Sequence, residues 1–320
     1  MTMTYGLLAV GLVLLIAGGE TLVRGATTVA RSLGVSPLLI GLTLVGMGTS
    51  APELVTSLTA VLAGSPGIAL GNVVGSNTAN ILLILGLAAL ISPIIVDRGA
   101  FRRDGWMLVA STVVCVAAVL AGTVTYVWGL VMLAGLAAYL VWAWMGERRS
   151  PDREARKFEH LTEDVPVVRG GIWSGLGLAL VGIALTIGGA RLLVDNAVIV
   201  ARDVGVSDTV IGLTVVAVGT SLPELVTSAV AAFRRHSDVA LGNIIGSNIY
   251  NVLGILGITA LVAPVRVPPE IIRLDIWVMV AATALVVLFV RTGMRIVRLE
   301  GLALLVAYGG YIAWLARDLY

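Results

Sequence analysis

The sequence predicts an all-α membrane protein with ten transmembrane helices, arranged as two inverted repeats of five helices each. Three observations support this fold class. Hydrophobic residues make up 58% of the 320 residues and charged residues only 12%, whereas soluble domains contain roughly 25% charged residues. Apolar stretches long enough to cross a bilayer recur along the chain. The two halves of the chain also match each other in sequence.

An internal repeat relates residues 30–93 to residues 201–264. Aligned without a gap, at an offset of 171 positions, the two segments are identical at 35 of 64 positions. The first repeat contains GLTLVGMGTSAPELVTS and ALGNVVGSN, and the second contains GLTVVAVGTSLPELVTS and ALGNIIGSN at equivalent places. Chance would give only a few identities, so the chain contains a duplicated unit.

Ten apolar stretches are predicted to cross the bilayer as helices, because each has roughly 20 residues or more. They lie near residues 5–31, 37–63, 69–92, 106–121, 125–145, 172–202, 209–233, 239–262, 276–291 and 299–316. The first and sixth stretches are the longest. At about 1.5 Å per residue they exceed a hydrocarbon core of about 30 Å, so we expect both to tilt.

A polar linker divides the chain into three parts. Residues 1–145 are predicted to form the first five-helix repeat, residues 146–170 a solvated cytoplasmic linker, and residues 171–320 the second, inverted repeat. The two histidines, His160 in the linker and His236 in a loop, are expected to be solvated. The single cysteine, Cys115, excludes an internal disulfide and is expected to be buried as a small apolar side chain.

Basic residues predict the orientation of the chain in the membrane. Five spans is an odd number, so the second repeat must enter the membrane with the opposite orientation to the first. With the N-terminus outside, 15 of the 21 lysines and arginines fall on the inner side, as the positive-inside rule requires. We therefore expect a plasma-membrane protein with both termini outside. The first apolar stretch follows no basic residue, which favours a membrane span over a cleaved signal peptide.

The second span of each repeat contains residues that interrupt a helix inside the membrane. These residues are Gly46, Gly48 and Pro52 in the first repeat, and Gly219 and Pro223 in the second. Proline removes a helical donor and clashes with the carbonyl four residues back, so carbonyls near Thr49 and Thr220 become free to face a cation. A glutamate, Glu53 or Glu224, follows each proline directly.

The third span of each repeat supplies neutral oxygen donors. They are Ser76, Asn77 and Asn80 in the first repeat, and Ser247, Asn248 and Asn251 in the second. The serine and the last asparagine of each group lie four apart, share a helix face and are expected to be ligands. The middle asparagine fits either a ligand or a packing role. Asn72 and Asn243, upstream of these groups, are expected to tie neighbouring helices together.

These residue types predict a site for hard cations. The set contains only oxygen donors, and calcium prefers about 6–8 oxygens, whereas zinc, copper and iron prefer nitrogen or sulfur. Two glutamates balance one divalent ion or two monovalent ions, so one site can bind calcium and sodium in competition. Repeat symmetry combined with an ionisable group inside a membrane span is typical of a transporter.

Other charged residues and other functions have weaker support. Glu20 and Arg24, and the equivalent pair Arg191 and Asp195, lie four apart and are expected to form structural ion pairs, with a role in gating as the alternative. A passive cation channel also uses polar broken helices, but the duplication disfavours it. Proton-coupled exchange and transport of another divalent cation stay open. The net charge of +2 gives no scaffold for nucleic acid, and the spans contain no constellation typical of an enzyme.

The motifs resemble those of the cation/calcium exchanger superfamily. GTSAPE (48–53) with GSNTAN (75–80), and GTSLPE (219–224) with GSNIYN (246–251), are similar to its two α-repeats. The likeness to prokaryotic sodium/calcium exchanger-like members covers essentially the whole chain. It implies an antiporter that needs no cofactor beyond the transported Ca²⁺ and Na⁺, sits in the lipid bilayer and requires no obligate protein partner.

The resemblance also implies a ligand set and a mechanism. Four ion sites would form a central diamond at the broken helices. Calcium would be held by Glu53 and Glu224 with the carbonyls of Thr49 and Thr220. Sodium would use Ser50, Ser221, Ser76 and Ser247 with the carbonyls of Gly46 and Ala217, and Asn80 and Asn251 match the remaining family positions. Three sodium ions would exchange for one calcium ion while the long first and sixth helices slide past the rest.

Two motif features bear on the coupling ion. Proton/calcium members of the superfamily typically carry a GNxxE-type motif instead of GTSxPE, which favours sodium for this chain. Several relatives, including potassium-dependent ones, have aspartate where this chain has Asn251. The asparagine argues against a potassium requirement and leaves the predicted pocket with two acids.

Overall fold

The computed structural model of the protein describes residues 2–35, 37–148, 171–203 and 217–317. The described part is almost entirely helical, with four strands of two residues each. Most of the predicted linker and the start of the predicted seventh span lie outside the described residues.

Twelve helices of the described part position the site. In the first half these are α1 (Thr2–Leu33), α2 (37–49), α3 (Ala51–Leu62), α4 (Pro66–Ile91), α5 (Arg98–Leu120) and α6 (Tyr126–Arg148). In the second half they are α7 (Gly171–Asp203), α8 (Ala217–Thr220), α9 (Leu222–Phe233), α10 (Ser237–Val262), α11 (Ile271–Gly293) and α12 (Arg298–Arg317). Within α2, a π-helical turn spans Gly41–Val45.

The prediction of an all-α membrane protein is confirmed. Seven described helices are long and apolar enough to cross a membrane, namely α1, α4, α5, α6, α7, α10 and α11. Two shorter apolar helices, α3 and α9, lie within the predicted second and seventh spans. The helix α12 covers the predicted tenth span. The total of ten spans stays a prediction.

Two short antiparallel ribbons join the halves of the chain. The strand β1 (Ile94–Ile95) pairs with β4 (Arg295–Ile296), and β2 (Thr123–Val124) pairs with β3 (Val265–Arg266). Each ribbon therefore contains one strand from each repeat. The sequence did not indicate these strands, because two residues are too few to show an alternating pattern.

The long helices α1 and α7 pack antiparallel with their backbones in contact. A Cβ atom added at Gly25 would lie 2.4 Å from the backbone nitrogen of Ala179, and one at Gly182 would lie 2.4 Å from that of Leu22. The glycines that line this contact recur every seven residues: Gly11, Gly18 and Gly25 on α1, and Gly175, Gly182 and Gly189 on α7. Small residues allow membrane helices to approach this closely.

The helices α4 and α10 form the centre of the bundle. In their most apolar stretches 72% and 83% of residues are buried, against 22–44% for the other five candidate spans. At their crossing, Asn77 Nδ2 donates a hydrogen bond to the carbonyl oxygen of Asn248, 3.2 Å away. These asparagines occupy equivalent positions in the two repeats. Cys115 is buried, as predicted.

Candidate functional site

A break interrupts the second predicted span of the first repeat, and a similar break occurs in the second repeat. The first break is at Ser50 (φ −81°, ψ 8°) and the second at Ser221 (φ −89°, ψ 7°). The prolines Pro52 and Pro223 then lie in the first turn of α3 and α9, where a missing N–H costs nothing. The predicted interruption is thus confirmed.

The two breaks contact each other through crossed hydrogen bonds. Ser50 Oγ donates to Glu224 Oε1 at 2.8 Å, and Ser221 Oγ donates to Glu53 Oε1 at 3.3 Å. Both glutamates are only 1% exposed. Each carboxylate therefore lies against the break of the other repeat, and the two halves share one buried acidic centre.

The asparagines predicted as ligands mark a second irregularity. In α4 a π-helical turn begins at Asn80, and in α10 one begins at Asn251. Such turns are rare in proteins as a whole, but where they occur they are frequently at functional sites. Both asparagines are 1% exposed, and Asn251 Nδ2 donates to Asn77 Oδ1 at 3.1 Å. The sequence placed these residues on the site face but did not indicate the change of helix type.

Several buried oxygens at this centre have no hydrogen-bond partner among the described residues. They are Glu53 Oε2, Glu224 Oε2, Asn80 Oδ1, Asn248 Oδ1 and Asn251 Oδ1. Buried polar atoms without partners are rare because each one loses its hydration. The two carboxylates are the acids of this centre, and no three His, Cys, Asp or Glu side chains cluster anywhere in the described ranges. This donor set fits a hard cation.

The remaining predicted site residues lie on α2 and α8, which end at the two breaks, and on the central helices α4 and α10. Thr49 is fully buried, and its hydroxyl lies 3.1 Å from the carbonyl oxygen of Val45. The carbonyl of Gly46 accepts a 3.2 Å hydrogen bond from Ser247 Oγ. Ser76 is also buried. Thr220 is half-buried at the end of α8, and Ala217 begins that helix but its side chain lies outside the described set.

Two further asparagines hold the glutamate-bearing helices in place. Asn72 Nδ2 donates to the carbonyl oxygen of Glu53 at 3.0 Å and to Ser57 Oγ at 2.9 Å. Asn243 makes the equivalent bonds to Glu224 and Ser228, at 3.3 and 2.8 Å. The predicted packing role of both asparagines is confirmed. Their serine partners were not singled out from the sequence, although the motif GTSxPELVTS contains both.

A cavity of about 380 Å³ lies beside the break of the first repeat, between α3 and α7. Its lining includes Pro52, Val55, Arg191, Asp195 and Thr220. Within the described residues Arg191 and Asp195 form no ion pair with each other, so the prediction of a structural pair at these positions is wrong. Their side chains instead border the cavity, which is also lined by Pro52, the residue next to Glu53.

The equivalent interface in the other repeat is closed. A Cβ atom at Gly19 of α1 would lie 3.1 Å from Val226 of α9, so these helices touch. The equivalent residues, Ala190 and Val55, line the open cavity between α7 and α3. The pair of long helices is therefore placed asymmetrically on a core whose two halves otherwise correspond.

An ion pair fastens the closed interface. Glu20 accepts hydrogen bonds from Arg24 on the same helix, at 2.8 Å, as predicted. It also accepts two from Arg234, which follows α9: Nη2 to Oε1 at 2.6 Å and Nε to Oε2 at 3.0 Å. This forked contact joins α1 to the end of α9. The sequence did not indicate Arg234, because 214 positions separate it from its partner.

His236, expected to be solvated, is only 8% exposed in the turn before α10. Burial lowers the pKa of its imidazole below the ordinary value of 6.5, and the nearby charges of Arg234 and Arg31 lower it further. The packed turn explains the difference from the sequence-based expectation. His160 lies outside the described residues.

Comparison with known proteins agrees with this arrangement. The family model described as sodium/calcium exchanger protein matches residues 3–145 and 174–317. The chain belongs to the sodium/calcium exchanger family. It is 40% identical over 305 residues to the putative antiporter CaxA of Alkalimonas amylolytica, covering 94% of this chain and 95% of that one.

Two further members of the family are similar to this chain over nearly the whole length of both chains. The sodium/calcium exchanger MaX1 of Methanosarcina acetivorans is 33% identical over 350 residues, covering 97% and 98% of the two chains. A structure of the sodium-calcium exchanger NCX_Mj, soaked with Na⁺ and Ca²⁺, superposes with a TM-score of 0.83 at 34% identity, covering 97% and 98%. The resemblance found from the motifs is confirmed, and the protein is a membrane antiporter of the cation/calcium exchange class.

Proposed function

We propose that this antiporter couples sodium entry to calcium extrusion by alternating access. The observation that carries the proposal is the acidic centre, where Glu53 and Glu224 are bonded crosswise to Ser221 and Ser50. The carboxylates are buried, come from opposite repeats and each keep one unpaired oxygen. Such oxygens fit a dehydrated cation that arrives and leaves.

The proposed ligands are those that the motifs predict. They are Glu53, Glu224, Ser50, Ser221, Ser76, Ser247, Asn80 and Asn251, with carbonyls of Thr49, Thr220, Gly46 and Ala217. The two glutamates carry a charge of −2, which one Ca²⁺ or two Na⁺ neutralise. A third Na⁺ would add one uncompensated positive charge, so exchange of three Na⁺ for one Ca²⁺ moves net charge across the membrane.

The proposed topology is two inverted five-helix repeats, 1–145 and 171–320, joined by a cytoplasmic linker. The antiparallel packing of the equivalent helices α1 and α7 supports the inversion. Two ribbons that each pair one strand from either half support it as well. Both termini would face the outside of the plasma membrane. With that orientation, the cavity between α3 and α7 opens outwards, and the interface fastened by Glu20 and Arg234 closes the inner side.

Calcium flux in reconstituted vesicles tests the proposal. Vesicles loaded with sodium should take up calcium when external sodium is removed, and an imposed membrane potential should change the rate. Glu53→Gln and Glu224→Gln should each abolish this uptake while the protein elutes as a folded species. Glu270→Gln, which neutralises an exposed acid directly before α11, is the control and should transport normally. Near-normal uptake by either site variant would refute the assignment.

The same vesicles distinguish the alternatives. Calcium uptake driven by a pH gradient in the absence of sodium would establish proton coupling instead. Calcium movement without any counter-ion, with currents that exceed exchange turnover, would establish a channel. The relatives named as an antiporter and as a sodium/calcium exchanger support the proposed mode over both.

A further inference from the structure

A long groove runs along the outside of the bundle between α5 and α11, away from the acidic centre. Its volume is about 860 Å³, and its lining extends from Arg98 to Val116 on α5 and from Trp277 on α11 to Met294, which directly follows that helix. At about 1.5 Å per residue, the α5 segment alone spans roughly 27 Å. The groove is thus long enough for an extended hydrocarbon chain.

The walls of the groove are apolar and its floor is closed. Phe101 and Val290 are buried beneath it. Midway along, Thr112 Oγ1 donates to the carbonyl oxygen of Leu108 at 2.8 Å and lies 3.4 Å from Thr283 Oγ1. The lining contains no acidic side chain. The groove therefore offers contacts to hydrocarbon and has no group that would attract a cation.

All the charge of the groove is positive and lies at one end. Arg98 and Arg102 begin α5, and Arg291 ends α11 beside them. All three are exposed, and within the described ranges none of them forms an ion pair. The other end is lined by Trp277, a residue type that anchors at membrane interfaces. Arginine forks match phosphate geometry.

We propose that this groove binds an anionic phospholipid, with its phosphate on Arg98, Arg102 and Arg291 and an acyl chain along α5 and α11. Charge complementarity selects this occupant, because three unpaired guanidinium groups favour a headgroup with net negative charge over a zwitterionic one. The positive-inside rule places these arginines on the cytoplasmic side, the side where anionic lipid attracts basic groups. The groove contains no residue of the acidic centre, so the proposal stands independently of the transported ions.

Native mass spectrometry of the purified full chain tests the proposal with phosphatidylglycerol and phosphatidylcholine as probes. The unaltered protein should retain phosphatidylglycerol at least about tenfold better. Combined Arg98→Ala, Arg102→Ala and Arg291→Ala should remove that preference. Arg273→Ala is the matched control, because Arg273 is the repeat equivalent of Arg102 but lies outside the groove. Arg295→Ala controls for charge near the same end. Both controls should keep the preference.

A second variant tests whether an acyl chain occupies the groove, without changing any charge. Ala284 is exposed in the groove wall, and Ala284→Phe would fill the groove while leaving the three arginines in place. This variant should lose tightly retained phosphatidylglycerol, whereas a purely electrostatic surface attraction would be unaffected. Equal retention of both lipids by the unaltered protein, or retention unchanged by both sets of substitutions, would overturn the proposal. A dimer that dissociates with Ala284→Phe would assign the groove to a second copy instead.

Discussion

Removing Arg234 should shift the antiporter away from the state with the open cavity. The forked contact between Arg234 and Glu20 fastens α1 to the end of α9, and in this arrangement α7 stands apart from α3. The side chains are 55% and 24% exposed, so we expect a contribution of about 0.2–1 kcal/mol, as for other exposed ion pairs. A loss of about 1 kcal/mol changes the ratio of two states roughly fivefold.

Thiol labelling can measure this shift. Val55 lines the open cavity, and Val55→Cys should react with a membrane-impermeant reagent, while the native Cys115 is buried and gives little background. Adding Arg234→Ala should slow labelling by up to about fivefold. Arg24→Ala is the control, because Arg24 pairs with the same carboxylate but on the same helix. Unchanged labelling in the Arg234 variant, or equal slowing by both variants, would refute the reasoning.

Three further substitutions probe the site, the packing and the buried histidine. Asn251→Asp adds a third acid at the centre and should alter the sodium concentration that halves calcium uptake, with little change in melting temperature; an unaltered value would contradict its placement there. Gly182→Ala places a Cβ 2.4 Å from a backbone atom and should lower the free energy of unfolding by about 1–3 kcal/mol. Gly177→Ala is the control, because open space surrounds Gly177, and it should have little effect on thermal unfolding. Burial lowers the pKa of His236, so the unfolded chain binds more protons and stability should fall as the pH drops below about 6.5; melting curves of His236→Gln should lose that slope.

The sequence predicted the features of the site that depend on local chemistry. The break before Pro52 follows from the missing N–H of proline, and the equivalent break follows from the repeat. The hydrogen bonds from Asn72 to the neighbouring helix follow from the fact that a buried amide in a membrane requires hydrogen-bond partners. The acids Glu53 and Glu224 stood out because charge inside an apolar span is costly.

The features that the sequence did not predict depend on distant parts of the chain. Nothing local indicates that Ser50 bonds to the glutamate of the opposite repeat, 174 positions away. The same holds for the bond from Arg234 to Glu20. The π-helical turn at Asn80 has no local signal either, since its residues would equally suit an α-helix. Packing between helices decides the two contacts, and a hydropathy pattern contains no information on which helices meet.

The glycine contact between α1 and α7 has a mechanical consequence. With backbones in close contact at three glycines of each helix, we expect the two helices to move together as one rigid unit. When this rigid unit moves away from one half of the core, it moves towards the other half. In the proposed alternating-access cycle, one such movement would close the cavity on one side of the membrane as it opens the cavity on the other.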